Sequence, residues 1–192
     1  MASVLRFDDW ETTLGTGVVS TDGSGNVAVG GSSPSYKLDV TGDINATGNL
    51  RVAGNAVGDY STFTPVWTAT TTNPAIGNGV MNGRLVRIND LVIAQYEIRP
   101  GSTTTFGTGF WKFDYPVTYD PTGFFAFADI GFGRAYDANV ATVYNMHAVV
   151  DNASTTTFRL SADSTGSAPS STAPFTWTVG DELLFTIVYK AA

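Results

Sequence analysis

A regular alternation of apolar and polar residues runs through residues 38–57, and it constrains the fold more than any other feature of the sequence. Every even position of LDVTGDINATGNLRVAGNAV is aliphatic or glycine, and the odd positions are polar except for Ala53 and Val57. A period of two residues predicts an extended chain with one dry face and one wet face. Glycine also recurs every six residues, each time followed by Asp or Asn. The pattern therefore predicts short strands separated by corners.

Six-residue repeats with an inward glycine are typical of solenoids and β-helices. Glycine leaves room where the chain bends, and the Asp or Asn after it tolerates left-handed backbone angles. Three repeats complete about one coil, and one coil has no neighbour against which to bury its apolar face. We therefore predict that other copies of the chain supply the neighbours, in an intertwined, β-helix-like homotrimeric stalk. The alternative is an ordinary β-meander whose glycines form hairpin turns.

The predicted stalk has an apolar interior and glycine corners. The interior positions are Leu38, Val40, Ile44, Ala46, Leu50 and Val52, and the corners are Gly42, Gly48 and Gly54. In a trimer each of these side chains would meet its symmetry mates, so we expect this segment to drive oligomerisation.

The run from Tyr36 to Leu50, YKLDVTGDINATGNL, resembles the stalk segment of bacteriophage tail fibres and related virion fibres. The preceding GNVAVG is similar to a segment that often leads into it, so the resemblance covers about residues 19–58. Bacterial surface adhesins carry similar runs. The resemblance implies a homotrimeric, non-enzymatic virion protein that binds a phage capsid or tail protein. Nothing in the chain resembles the self-cleaving chaperone domain or the long docking domain of many tail fibres, which favours a capsid decoration or short head fibre over a tail fibre.

Residues 1–18 are interpreted as a segment that docks on a larger assembly. A short helix would place five apolar residues on one side, namely Val4, Leu5, Phe7, Trp10 and Leu14. Phe7 and Trp10 are the predicted docking residues, because large aromatics near a chain terminus have little to bury against. The alternative is that they fold back on the stalk, which is assigned to residues 19–59.

Residues 60–192 are predicted to form an all-β head, a β-sandwich, jelly roll or barrel, with the first two preferred. The clearest element is a hairpin over residues 84–99 with Asn89-Asp90 as its two-residue turn. In its second strand Val92, Ala94, Tyr96 and Ile98 are predicted to share one face. Further strands are predicted at 64–70, 110–115, 124–132, 142–150, 156–160, 175–179 and 183–189. The chain as a whole is therefore expected to be all-β, a short stalk followed by a head.

Composition excludes several classes of partner. The formal net charge is −7 and the ten Lys and Arg residues are scattered, so we expect no nucleic-acid binding. No apolar run approaches the roughly 20 residues of a membrane-spanning helix, and the first residues do not resemble a signal peptide. Only 14% of residues are charged, as in many extracellular and virion β proteins. We therefore expect a protein of the virion surface, released by cell lysis, without membrane insertion.

The residues that carry catalysis in other proteins are sparse. His147 is the single histidine and there is no cysteine, so a zinc set cannot be built and no cofactor or metal is predicted. Asp22, Ser24 and Asn26 alternate like calcium ligands, but no bidentate Glu follows. Glycoside hydrolysis would need a carboxylate pair, and its candidates are Asp114, Asp120, Asp129, Asp137 and Asp151. We expect these residues to be structural and the protein not to be an enzyme.

The aromatic residues of the second half are the better functional candidates. Most should lie in the core, and any exposed ones would stack on sugars of a host surface. The candidates are Trp67, Trp111, Trp177, Tyr96, Tyr115, Tyr119, Phe124, Phe125 and Tyr136. The predicted function is a trimeric virion structural protein that adheres to host glycan in the tail-fibre case. The alternative is a small secreted carbohydrate-binding β-sandwich.

Overall fold

The computed structural model describes residues 9–11, 17–48, 50–52, 55–58, 60–123, 128–162 and 168–192. The chain divides into two compact units, Met1–Asn49 and Leu50–Ala192, whereas the sequence placed the boundary at residues 59 and 60. Every regular element in the described ranges is a β-strand or an isolated bridge. The prediction of an all-β chain is therefore confirmed.

The first unit contains a small sheet. Its strands are β1 (Asp9–Glu11), β2 (Gly17–Thr21), β3 (Val27–Val29) and β4 (Leu38–Val40). Strands β2 and β3 pair antiparallel, β4 pairs parallel with β3, and β1 pairs antiparallel along the free side of β2. Trp10 therefore lies in a strand opposite Val19, and the short helix expected around it is wrong at this position. Phe7 lies outside the described residues.

The second unit begins with a two-stranded ribbon, β5 (Arg51–Val52) and β6 (Asn55–Ala56). Nine further strands form one antiparallel sheet. They are β7 (Tyr60–Phe63), β8 (Trp67–Ala69), β9 (Val80–Ile88), β10 (Leu91–Arg99), β11 (Trp111–Asp114), β12 (Asp129–Asp137), β13 (Thr142–Val150), β14 (Thr157–Ala162) and β15 (Glu182–Lys190). Their spatial order is β7-β9-β10-β15-β12-β13-β14-β11-β8.

The hairpin predicted over residues 84–99 is confirmed as the pair β9 and β10. Leu91 lies opposite Ile88, so Asn89 and Asp90 form the turn, and Asn89 has the left-handed φ of 53° that such turns require. The alternation in β10 is also as predicted, because its inward side chains are at most 2% exposed. These inward residues are Val92, Ala94, Tyr96 and Ile98.

The connectivity forces the nine-stranded sheet to curl. Strands β7 and β8 are its two edges, yet only residues 64–66 join them. Four residue steps of extended chain reach at most about 14 Å. A flat sheet with eight strand intervals of about 4.8 Å would instead separate its edges by nearly 40 Å. One continuous sheet therefore wraps around the core. The sandwich or jelly roll predicted from the sequence would instead have two facing sheets.

An aromatic core fills the inside of the curl. The Tyr96 ring lies 4.5 Å from Phe185 and 5.5 Å from Phe158, measured between centroids. The Tyr96 hydroxyl donates a 2.9 Å hydrogen bond to the carbonyl of Asp114 in β11. Phe185 lies on the adjacent strand β15. Strands β14 and β11, which carry Phe158 and Asp114, lie four and five positions from β10 in the sheet, so these two contacts cross the interior.

Strand β12 has glycine at two of its inward positions. A Cβ atom at Gly131 would lie 2.0 Å from the carbonyl oxygen of Thr186, and one at Gly133 would lie 2.3 Å from that of Leu184. Only glycine allows β12 to approach β15 this closely. Phe132, between the two glycines, points outward and is 73% exposed.

Residues 168–181 cover one part of the core without joining the sheet. The prediction of a strand at 175–179 is wrong, because these residues belong to no ladder. Phe175 and Trp177 are nevertheless buried, with their rings 4.5 Å apart. The Trp177 indole N–H donates to the Ala173 carbonyl at 3.1 Å, and Asp181 accepts hydrogen bonds from the N–H groups of Ala138 and Thr178. This segment is thus a plug held by side-chain hydrogen bonds.

Candidate binding surface

The outward residues of strands β7, β9, β10, β15 and β12 line a groove of about 1120 Å³, which is the candidate functional site. Across-strand pairing sets Thr62, Arg84, Gln95, Thr186 and Phe132 in one row. A second row contains Asn82, Glu97, Leu184 and Arg134. Every second side chain of a strand points outward, so the two rows lie side by side on the outer face.

Hydrogen bonds order the polar side chains of the groove. Arg84 Nε donates to Gln95 Oε1 at 2.7 Å, and Gln95 Nε2 donates to Thr186 Oγ1 at 3.4 Å. In the second row Asn82 Nδ2 donates to Glu97 Oε2 at 3.1 Å. The groove therefore presents amides and hydroxyls whose orientations are set by their neighbours.

The charges of the second row continue into a partly exposed network. Glu97 Oε1 lies 2.8 Å from Arg99 Nε, and Glu182 lies 3.6 Å from both Arg99 and Arg134. In the first row the Arg84 guanidinium lies 5.8 Å from the centroid of the Tyr60 ring. Such exposed pairs contribute little stability, and they leave a surface suited to binding polar ligands.

Phe132 is the one large apolar side chain of the first row, and its exposure marks the groove. An exposed ring beside amides and guanidinium groups matches the chemistry of saccharide recognition, in which rings stack on sugar faces and polar groups bind hydroxyls. Phe132 was not among the aromatic residues predicted from the sequence to bind sugars. The pattern Gly-Phe-Gly was the available signal, because inward glycines on both sides direct the ring outward.

The aromatic residues that were singled out are mostly core, as expected. Trp67, Trp111, Trp177, Tyr96, Tyr115 and Tyr119 are 1–7% exposed. Tyr136 is partly exposed on the outer face of β12, and Phe124 and Phe125 lie outside the described residues. These six buried rings belong to the core cluster and therefore stabilise the fold.

His147 lies on the outer face of β13. Its Nδ1 is 3.8 Å from Asp129 Oδ1, and both side chains are about half or more exposed. The described residues hold no group of three or more His, Cys, Asp and Glu side chains that could bind a metal ion.

The remaining candidate aspartates have separate structural partners. Asp120 accepts a 2.6 Å hydrogen bond from Lys190, and this contact, with bonds from Thr122, lowers the pKa of Asp120. Asp151 lies 2.6 Å from Lys112, and Asp137 accepts from the N–H of Asn139 at 3.0 Å. Burial raises the pKa of Asp114.

The Asp22 carboxylate is occupied within its own loop. It accepts hydrogen bonds from the N–H groups of Ser24 and Asn26 at 2.8 and 2.9 Å, and from the Asn26 amide at 2.8 Å. These bonds, the largest effect being that of the Asn26 N–H, lower the pKa of Asp22. The alternation of Asp, Ser and Asn here is thus explained as turn chemistry.

The predicted stalk residues are largely exposed in the single chain. Leu38 is 60% exposed, Ile44 62% and Leu50 51%, Val40 is half-buried, and Ala46 is exposed. Val52 lies in strand β5, and Gly54 falls outside the described residues. Gly42 has a φ of 129°, whereas a Cβ at Gly48 would meet no atom within 4 Å. The close approach expected at that corner is not made within one chain.

Comparisons with models of protein families, with curated proteins and with solved structures find no match. The part of the chain that the structure describes has no helix long and apolar enough to cross a membrane.

Proposed function

We propose that this chain is a non-enzymatic structural protein of a phage virion, in which residues 38–57 assemble three copies into a stalk and the curled sheet serves as the head. The observation that carries the proposal is the exposure of Leu38, Ile44 and Leu50 at 51–62%. These residues belong to one strictly alternating series, yet the chain itself does not cover them. Assembly with other copies would cover these side chains.

Burial provides the driving force for this assembly. Each half-exposed Leu or Ile side chain gains about 1 kcal/mol when its remaining surface leaves water. The gain is repeated at successive even positions and in every copy. The odd positions stay polar and face solvent, as the exposed Asn45 and Thr47 do in the single chain.

The resemblance of residues 19–58 to virion fibre stalks supports a place on the virion, as a capsid decoration, a short head fibre or a tail fibre. The partner would accordingly be a capsid or tail protein, with Phe7 and Trp10 as the proposed docking residues. The low content of charged residues, 14%, is in keeping with this surface location. The head predicted as a sandwich or jelly roll is, in this proposal, the curled nine-stranded sheet.

The test is the native mass of the full chain, measured by light scattering on a sizing column, for two variants matched in charge. Ile44→Asp places three carboxylates on the shared axis without partners, so we expect the trimer to dissociate. Asn45→Asp adds the same charge on the wet face and should remain a trimer. Equal behaviour of the two variants, or a monomeric unmodified chain, would refute the stalk.

A saccharide-binding protein is the second candidate, and the groove favours it. Phe132 offers a stacking surface, and Arg84, Gln95 and Asn82 offer hydrogen-bond donors within the same concavity. Titration calorimetry with oligosaccharides from bacterial surfaces would test it. Phe132→Ala should abolish binding, whereas Val143→Ala, at a 50% exposed position on the outer face of β13, should not. Saccharide binding by a monomeric chain would favour this candidate over the fibre.

A further inference from the structure

The outer face of the curled sheet carries a contiguous apolar patch beside the groove. Register places Tyr60, Val86, Ile93 and Val188 in a row across strands β7, β9, β10 and β15. Ile88 and Leu91 form a second row next to it. All six point away from the core, and five of them are 37–72% exposed.

Isolated exposed apolar residues are ordinary, but a contiguous set is not. The row of four spans three strand intervals of about 4.8 Å, or roughly 14 Å. Adjacent side chains of the row are therefore close enough to pack against one another, and the Arg84 guanidinium lies beside the patch, 5.8 Å from the centroid of the Tyr60 ring. A surface of this kind marks an interface between proteins.

We propose that this patch packs against the same region of neighbouring copies of the chain, so that the heads associate as well as the stalks. The inference rests on the proposed function, because it takes the trimer as given. Its occupant is a second copy of this chain, and two observations favour that choice over another partner.

The first observation is the position of the patch along the chain. The alternating series of the stalk ends at Val57, and Tyr60, which belongs to the patch, follows three residues later. Three residues of extended chain reach at most about 11 Å. If three chains converge at residue 57, their Tyr60 residues start close to the axis, and Val86 lies directly across from Tyr60 in the adjacent strand. The patch therefore begins where the copies are already close.

The second observation is charge. Each chain has a formal net charge of −7, so copies repel one another over most of their surface. None of the six patch residues is charged. The neighbouring Lys190, opposite Leu91, pairs with Asp120 at 2.6 Å. Copies can thus approach through this face with little electrostatic cost, while the partly charged groove stays beside it.

The absence of cysteine from the chain allows a direct test. Three full-length single-cysteine variants are prepared, Ile93→Cys in the patch, Ile44→Cys in the stalk and Val143→Cys as the control. Val143 is a branched residue on the outer face of the same sheet, 50% exposed and outside the patch. Each protein is treated at micromolar concentration with a short bismaleimide, and cross-linked species are quantified on denaturing gels.

In one assembly, the cysteine of each chain is present near that of its neighbour at an effective concentration in the millimolar range. We therefore expect Ile93→Cys to cross-link about a hundredfold faster than Val143→Cys, at a rate that does not change on dilution. Cross-linking of Ile44→Cys without cross-linking of Ile93→Cys would refute the association of the heads through the patch and support association through the stalk. Cross-linking of Ile93→Cys without cross-linking of Ile44→Cys would support association of the heads through the patch and refute association through the stalk. Equal rates for Ile93→Cys and Val143→Cys would also overturn the patch.

Discussion

Tyr96 connects opposite sides of the curled sheet in two ways, and the two can be separated by substitution. Its hydroxyl donates to the Asp114 carbonyl at 2.9 Å, and its ring contacts Phe113, Phe158 and Phe185 at centroid distances of 4.5–6.4 Å. Tyr96→Phe removes only the hydrogen bond. Tyr96→Ala removes the ring as well and leaves a cavity among the neighbouring aromatics.

The structure gives a magnitude for each loss. A net hydrogen bond contributes about 1 kcal/mol, and leaving the buried carbonyl without its donor raises the cost of Tyr96→Phe to about 1–3 kcal/mol. Truncation of a buried aromatic to alanine costs about 3–5 kcal/mol through lost burial and the residual cavity. We therefore expect Tyr96→Ala to lower the free energy of unfolding by about twice as much as Tyr96→Phe.

The assay is urea unfolding followed by tryptophan fluorescence, at one fixed chain concentration because assembly would shift the midpoint. Trp67, Trp111 and Trp177 report on the core, since all are at most 6% exposed. Tyr36→Phe is the control, the same chemical change at a 74% exposed ring outside the core and the apolar patch, and it should leave the midpoint unchanged. If Tyr96→Phe were as destabilising as Tyr96→Ala, or if both were neutral, the interior packing described for the curl would be wrong.

Two further predictions concern pH and the plug. Burial raises the pKa of Tyr189 to about 12 and that of Tyr96 further, against about 10 in an unfolded chain. The stability that these neutral side chains contribute is therefore intact below pH 10 and is lost as pH rises toward 12 and beyond. The tyrosinate absorbance of these two buried residues should appear together with loss of the near-ultraviolet circular dichroism, and its appearance in a chain that stays folded would contradict this. Asp181→Ala leaves the N–H groups of Ala138 and Thr178 without their acceptor and should lower the free energy of unfolding by about 2–5 kcal/mol. Asp181→Asn keeps one carbonyl oxygen as an acceptor and should lower it by less. Equal urea midpoints for the unmodified protein and both variants would contradict the role given to Asp181 in holding the plug.

Local patterns predicted the parts of the fold in which local chemistry decides the outcome. The Asn-Asp turn and the alternation of β10 were sufficient for the hairpin, because each strand supplies the other's neighbours. Strand β13, predicted at 142–150, has those bounds in the structure.

Other parts depend on contacts that a local pattern does not contain. Strand β12 was predicted to end at Phe132 but continues to Asp137. Apart from Ile130 at the register shift near its start, its inward positions are Gly131, Gly133 and Ala135 rather than large apolar residues. Small residues are needed there because β15 lies so close, and the sequence offers no apolar period to reveal the strand. At 175–179 the alternation is real but describes a plug, since the Trp177 indole bonds to its own segment.

The same alternation has opposite outcomes in two parts of this chain, and the difference is informative. In β10 the inward residues are at most 2% exposed, because eight other strands complete a surface around them. In the predicted stalk, Leu38 and Ile44 follow the same period and remain at least 60% exposed. A period of two selects one face for burial but does not provide the surface that covers it. The stalk series therefore specifies a face whose cover must come from outside the single chain, and identical copies are the cover that preserves its register through every repeat.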